Sequence, residues 1–288
     1  MKQLLILSGK GGTGKTTIAS AFIKLSNARA YADCDVDAPN LHLITGWDSE
    51  PDKSDYYGLP KADINTEKCI ECDVCRQNCR FDAILAEEGY KVDPFACEGC
   101  GVCEYVCPVE AITLIPSIDG EWMLYSDDDK VFSTAQLKMG SGTSGMLVTE
   151  VKKQMRLASE DAEFAIIDGS PGIGCPVIAS LSGVDMVLIV TEPSISGMSD
   201  MERIINTAIK FGTKIAVCIN KYDIHIENTE KIEDFCKKQG LPFMGRIPFD
   251  FNAVKAINNG LTIVDIDCIS GLACKAVYEK AMELFKEV

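Results

Sequence analysis

The sequence predicts an α/β fold: a mostly parallel sheet with helices on both faces, interrupted by a small inserted α+β module. Three observations carry this. Short apolar, β-rich runs alternate with helical stretches along most of the chain, the signature of strand–crossover–strand units. The first run, LLILS, passes straight into a glycine-rich loop and then a helix from about Lys15. Between roughly Gly58 and Pro116 the alternation stops, and cysteine, glycine and acidic residues replace it. The expected partition is a core of residues 1–58 and 117–288 with an insertion at 59–116, which suits a 288-residue chain as one α/β unit plus a small module.

Each element follows in order. ARAYADCD reads as the second strand of the core. After the insertion, EWMLYS and VFSTAQL read as strands, GSGTSG as a flexible loop, and MLVTEVKKQMRLA as a helix. EFAIID, VDMVLIV and KIAVCIN are further buried strands, each followed by a helical segment. The C-terminal GLACKAVYEKAMELFKEV is amphipathic, but its mixed charges and small apolar residues suit a core-packing helix rather than a basic membrane anchor.

Composition bounds the function. The chain is 47% hydrophobic and 25% charged, proportions of a soluble globular protein, and no apolar run approaches the roughly 20 residues of a membrane span. LLIL is too short for a signal-peptide core, so a cytoplasmic location is expected. A formal charge of −15 without a Lys/Arg block argues against nucleic acid or anionic lipid as a partner and favours a basic protein. Eight of the fourteen cysteines stand at tight, repeated spacings, which points to metal ligation rather than disulfides.

Gly9 to Thr16 satisfies G-x-x-x-x-G-K-[ST] between an apolar strand and a helix, the context a phosphate loop requires. Gly9, Gly11, Gly12 and Gly14 permit close backbone approach, so the amides through Thr13, Thr16 and Thr17 and the helix start can face phosphates. Lys15 is placed to neutralise β/γ oxygens, and the Thr16 hydroxyl to ligate Mg²⁺. A glycine-rich turn without nucleotide is the bland alternative; strand, loop and helix together argue against it.

Lys10 is not demanded by the generic loop. The stretch KGGTGKT resembles the deviant phosphate loop of the MinD/ParA group of SIMIBI-type P-loop NTPases, which includes the nitrogenase iron protein and Mrp-type cluster carriers. The resemblance implies an ATP-dependent homodimer in which Lys10 reaches the second subunit's nucleotide, supporting phosphoryl transfer as an arginine finger does. DCDVDAPN is similar to the group's first switch. By that likeness Asp35 orients or deprotonates the attacking water and Asp33 supports it or holds Mg²⁺, although the reverse assignment stands close behind. Asp168, ending EFAIID, resembles the Walker B aspartate, with Gly169 to Gly174 as the second switch. Asn220 in INKYD, and Pro248 and Asp250 in IPFDFN, match the segments that border the base in that group. NKYD, with Asp223, also resembles the guanine-selecting motif of GTPases, so the residues leave GTP open while the family likeness favours ATP/ADP.

Cys69, Cys72, Cys75 and Cys79 follow C-x2-C-x2-C-x3-C. Cys97, Cys100, Cys103 and Cys107 repeat the run about 28 residues later with Pro108 after it. The spacing resembles bacterial two-cluster ferredoxins, which implies two [4Fe–4S] clusters with crossed ligation. Cys69, Cys72, Cys75 and Cys107 would hold one cluster, and Cys79, Cys97, Cys100 and Cys103 the other. Structural zinc is the weaker alternative because it draws paired C-x2-C knuckles. Arg80 stands where that pattern has proline, and could tune a potential or dock a partner. Cys34 and Cys175 lie in the switch motifs and are expected to pack, while His42 and His225 have no ligand spacing.

Together these readings favour an ATP-hydrolysing iron–sulfur protein that passes electrons to a redox or metalloprotein partner under nucleotide control. A cluster or metal assembly carrier is the alternative, weakened because no C-x-x-C pair lies outside the insertion. A membrane- or DNA-positioning ATPase ranks third.

Overall fold

A computed structural model describes residues 1–47 and 49–288. The chain begins with β1 (Lys2–Leu7), α1 (Lys15–Ser26), β2 (Ala30–Asp33) and a single turn, α2 (His42–Thr45). Next come β3 (Asp52–Tyr57), β4 (Lys61–Ile64), α3 (Val74–Asn78), β5 (Ile84–Ala86), β6 (Tyr90–Val92), α4 (Val102–Val106) and β7 (Ile112–Ile115). β8 (Ile118–Ser126), β9 (Val131–Leu137), α5 (Ser144–Ala158), β10 (Phe164–Asp168), α6 (Cys175–Leu181), β11 (Met186–Thr191) and α7 (Ile195–Lys210) follow. The chain ends with β12 (Lys214–Asn220), α8 (Ile226–Gln239), β13 (Phe243–Ile247), α9 (Phe251–Asn258) and α10 (Ile269–Lys286).

The principal sheet runs β13-β12-β11-β1-β10-β2-β9-β8-β3, and the seven strands from β13 to β9 pair in parallel. The fold is therefore the α/β class expected. Leu4 to Leu7 of β1 and Met186 to Val190 of β11 are wholly buried, as central parallel strands covered on both faces must be. Alternate residues divide between the faces. Leu4, Ile6, Leu188 and Val190 pack with Ile18 and Phe22 of α1 and with Val277, Ala281 and Phe285 of α10 in one core cluster. The C-terminal helix is thus a core element. Burial of this kind, at about 25 cal/mol per Å² of apolar area, is what holds such a sheet together.

Two compact units divide the chain: 1–53, 122–136 and 145–288 form one, and 54–121 with 137–144 form the other. The glycine- and serine-rich stretch expected to be a simple loop therefore belongs mostly to the smaller unit. There Gly140, at φ +86°, lies so close to Phe95 that an added Cβ would stand 3.3 Å from the ring.

Within the smaller unit β4 pairs antiparallel with β7, and β5 with β6. The sequence repeat is also a backbone repeat. Left-handed conformations occur at Glu71 and Gly99, at Asp73 and Gly101, and at Asp82 and Glu110, positions that match under the same offset that relates the two cysteine runs. Four of these six are not glycine, so side chains occupy a conformation that costs about 1 kcal/mol or more each. The unit's buried core cluster is small, Ala62, Cys75, Ala83, Ile84, Cys97 and Ile112, a meagre apolar store for a unit of this size.

Candidate functional site

The carboxyl end of the parallel sheet gathers the phosphate loop and both switch segments. Ser8, Lys10 to Thr17, Asp35, Asn40 and Pro171 line a cavity of about 260 Å³. Gly14 caps the start of α1 at φ +89°, a conformation glycine adopts without strain. Any side chain there would collide with the Asn220 amide.

Lys15 is buried, and its Nζ donates to Asp168 Oδ1 at 2.6 Å. The Thr16 hydroxyl donates to Asp168 Oδ2 at 2.6 Å. Asp168 and Asp33 end neighbouring strands and face each other in register. Burial would depress the Lys15 amine, but Asp168, Asp33 and Asp35 outweigh it and push it up. Burial raises Asp168 to about 6, with Lys15 opposing and Asp33 adding to the rise. Buried Asp33 is also pushed up by desolvation, against the pull of Lys15 and of three backbone amides.

Those amides define Asp33's task. Its carboxylate accepts from Asp35 N at 2.9 Å and from Asn40 N and Leu41 N at 3.0 Å, so both oxygens are engaged in folding the first switch. Asp35 lines the phosphate cavity instead. The second switch is tied to the same place: the Ser170 hydroxyl donates to the Cys34 carbonyl, and Gly172 N donates to Ser8 O at 3.0 Å.

Three carboxylates around one buried lysine leave excess negative charge in a nest of hard oxygen donors, which suits a divalent ion such as Mg²⁺. Thr16 and Asp168, joined by a hydrogen bond, are residues that could hold it, directly or through water, whereas both oxygens of Asp33 are taken by backbone amides. The ion would add positive charge against phosphate oxygens.

Asp35 yields a pH test. Desolvation lifts it to about 6, with Lys15 opposing and Asp168 and Asp37 reinforcing. Its folded pKa lies above the ordinary carboxylate value, so its stabilising contribution is fully present below about pH 4 and lost as pH rises through about 6. Nucleotide-free protein should gain about 1–2 kcal/mol between pH 7.5 and 5 from this group, after discounting for partial exposure. Asp35→Asn should remove that part of the slope in denaturant titrations. An identical slope in the variant would contradict the assignment.

Lys10 turns toward its own protomer, pairing with Glu192 at 2.5 Å and lying 3.3 Å from the hydroxyls of Ser194 and Ser196.

A second cavity, about 230 Å³, adjoins the loop and is lined by Thr17, Ile18, Asn220, Ile247, Pro248, Phe249, Asp250 and Val254, among others. Its apolar walls suit a flat base. Asn220, Pro248 and Asp250 stand in that wall, and the polar side chains among them also have partners within the protein. Asn220 Nδ2 donates to Thr13 O at 2.7 Å, and Lys221 Nζ donates to Gly12 O at 2.7 Å, so both brace the phosphate loop. Asp223 Oδ1 accepts from Phe249 N at 2.7 Å. Asp250 caps α9 through Asn252 N at 2.8 Å. Glu192, Ser194, Lys221 and Phe249 were missed by sequence reasoning. Lys221 lay within a motif, NKYD, which gave it no task of its own.

In the smaller unit the two cysteine runs interleave. One cavity is lined by Cys69, Cys72, Cys75 and Cys107, and a second by Cys79, Cys97, Cys100 and Cys103. Ala111 N donates to Cys107 Sγ at 3.2 Å, and Ala62 N to Cys97 Sγ at 3.5 Å. Such bonds stabilise thiolate ligands. Among the described residues no group of three His, Cys, Asp or Glu side chains closes on a single metal ion; each set of four sulfurs surrounds a cavity. Donor chemistry and arrangement therefore fit a polynuclear cluster.

Of the remaining cysteines, Cys34, Cys218, Cys236, Cys268 and Cys274 are buried, whereas Cys175, expected to pack, is exposed at the start of α6. Burial pushes the Cys34 thiol up to about 12, an inert state. His225 caps α8 through Nδ1, and burial lowers the pKa of His42.

A parallel sheet whose first strand turns through a glycine loop into a helix, with Lys15, Thr16 and Asp168 joined at its carboxyl end, defines a P-loop nucleotide-binding protein. The chain belongs to the CobQ/CobB/MinD/ParA nucleotide binding domain family, whose description matches residues 4–263. An uncharacterised protein of Methanocaldococcus jannaschii is 33% identical over 287 residues, 98% of this chain and 96% of its own. An iron–sulfur cluster carrier protein of Pyrococcus furiosus is 25% identical over 308 residues, 99% of this chain and 87% of its own. Among solved structures, the cell division ATPase MinD of P. furiosus superposes with a TM-score of 0.59 at 19% identity, covering 98% of this chain and 99% of that one. That likeness concerns the fold. No helix among the described residues is long and apolar enough to cross a membrane.

Proposed function

We propose that this protein hydrolyses ATP and uses its nucleotide state to govern electron transfer from two [4Fe–4S] clusters to a partner protein. The observation that carries the reading is the sorting of eight cysteines into two four-cysteine cavities in a chain that also carries the phosphate loop of the nucleotide-binding family. The inserted module, 59–116 by sequence, acts as a two-cluster ferredoxin domain. The clusters supply electron storage, and the cysteines and their amide partners set their environment. A core in which cysteines line both cavities suits clusters retained as part of the fold rather than passed on.

Hydrolysis follows from the site. Backbone amides and Lys15 hold the β/γ phosphates, and Asp35 takes a proton from water as its oxygen attacks the γ-phosphorus. The bond to the β-phosphate oxygen breaks, leaving ADP and phosphate. Asp35 is ionised at neutral pH and loses that capacity as pH falls through about 6. Lys10 serves the second copy in an ATP-dependent dimer. Because Asp33 folds the first switch and Ser170 ties it to the second, gain or loss of the γ-phosphate reorganises both. The setting is cytoplasmic, and the acidic surface suits a basic redox partner.

Similarity to an iron–sulfur cluster carrier protein, 25% identical over nearly the whole chain, supports a second reading, delivery of clusters to apo-proteins. Against it, Cys175 is the single exposed cysteine outside the smaller unit among the described residues.

Anaerobic EPR of dithionite-reduced protein, with and without MgATP, separates the two. Electron transfer predicts reversible reduction, a nucleotide-dependent signal and iron retained beside apo-acceptors. A silent, irreducible centre or ATP-driven iron loss to acceptors would favour the carrier.

A further inference from the structure

The geometry points to a positioning role for Glu192, and we propose that it restrains Lys10 in cis: its carboxylate parks the lysine within one protomer and must release it before the lysine can serve a second copy. The inference rests on the ATP-dependent dimer proposed above.

Lys10 has no freedom in where its loop begins. At Gly9 an added Cβ would collide with Asp200 of α7, so the loop is pressed against that helix and the Lys10 side chain emerges beside the β11–α7 turn. Three acceptors wait there, matching the three N–H bonds of an ammonium: Glu192 Oε1 at 2.5 Å and the Ser194 and Ser196 hydroxyls at 3.3 Å each. The turn is well fixed. Ser194 accepts from Gly197 N at 3.0 Å as the cap of α7, and Ser194 N donates to Glu192 O at 2.8 Å. The restraint is therefore in place before any partner arrives.

Release is made easy by a second cation. Glu192 Oε2 lies 3.7 Å from Lys221 Nζ, which itself braces Gly12 O. When Lys10 leaves, the carboxylate keeps Lys221 as its partner and is not stranded, so opening is an exchange rather than a loss. Both members of the Lys10–Glu192 pair retain some solvent exposure, which keeps the pair weak enough to open.

The competition also reads the nucleotide. A triphosphate on the facing copy offers a concentrated anionic acceptor to displace one carboxylate and two hydroxyls. A diphosphate lacks the γ group that Lys10 would meet. Glu192 thereby sets a threshold that ATP passes and ADP does not.

The test uses cluster-loaded protein under anaerobic conditions, with wild type, Glu192→Gln, Lys10→Gln and the double variant. Sedimentation against MgATP should show Glu192→Gln dimerising at several-fold lower ATP, up to about tenfold because two restraints open per dimer. The gain should vanish on the Lys10→Gln background, a coupling that a merely structural role would not produce. Equal or weaker dimerisation of Glu192→Gln than of wild type would overturn the restraint. The second readout needs no dimer: acylation of the Lys10 amine by a small reagent, followed by peptide mass spectrometry, should run several-fold faster in Glu192→Gln. If neither protein dimerises but acylation accelerates, the dimer reading fails and the restraint stands; an unchanged acylation rate overturns the restraint itself.

Discussion

Lys15→Ala should lower nucleotide affinity by at least about 10²-fold, the loss expected when a buried cation contacting phosphate oxygens is removed. It should also destabilise the nucleotide-free protein, for a different reason. Lys15 neutralises Asp168 at 2.6 Å, and the two are buried together. Removing one partner of such a pair typically costs about 3–5 kcal/mol, or roughly 10 °C in Tm for a chain of this size. The two losses separate in Lys15→Ala/Asp168→Asn. Neutralising the stranded carboxylate should return most of the stability, while nucleotide affinity stays low because the phosphates still lack their cation. Calorimetric titration and thermal melts on the three proteins check both halves. Near-normal affinity in Lys15→Ala would remove the phosphate loop from the site, and a double variant as unstable as the single would mean that the cost lies in packing.

What the sequence revealed and what it concealed have separable causes. β1, β10, β11 and β12 were legible because strands buried on both faces must be continuously apolar. Lys15 and Thr16 were legible because a phosphate loop demands fixed residue types at fixed spacing, and Asp168 because it ends an apolar strand in a Walker B-like segment. β3, with the polar sequence DKSDYY at the edge of the sheet, has no such signature. GSGTSG reads as a flexible loop by composition, whereas Gly140 and Gly142 permit close approach to Phe95 and Glu98. The roles of Asn220, Lys221 and Glu192 depend on which carbonyl or ammonium lies within about 3 Å in space, and no periodicity encodes that. Asp33 and Asp35 looked interchangeable two residues apart; only the three amides folded onto Asp33 tell them apart. The paired left-handed residues of the smaller unit were hidden as well, since Glu71, Asp73, Asp82 and Glu110 are not the glycines that would have announced them.

The crossed cavities make a sharp prediction about iron. Replacing Cys69, Cys72, Cys75 and Cys107 together by alanine should leave half of the iron and one intact [4Fe–4S] signal, because the other cavity keeps Cys79, Cys97, Cys100 and Cys103. Replacing Cys69, Cys72, Cys75 and Cys79 should leave neither set of four complete, with iron well below half. A sequential arrangement, in which each run serves its own cluster, inverts the two outcomes. Folding should follow the iron. Cys75 and Cys97 belong to the small buried core cluster of this unit, and each thiolate-bound cluster would contribute folding free energy that the sparse apolar contacts cannot replace. Loss of both clusters should therefore leave residues 54–121 open to proteolysis while the parallel sheet, with its own extensive core, stays folded and still binds nucleotide. Equal iron content in the two quadruple variants would defeat the crossed assignment, and a protease-resistant iron-free unit would show that its backbone turns are held by something other than the clusters.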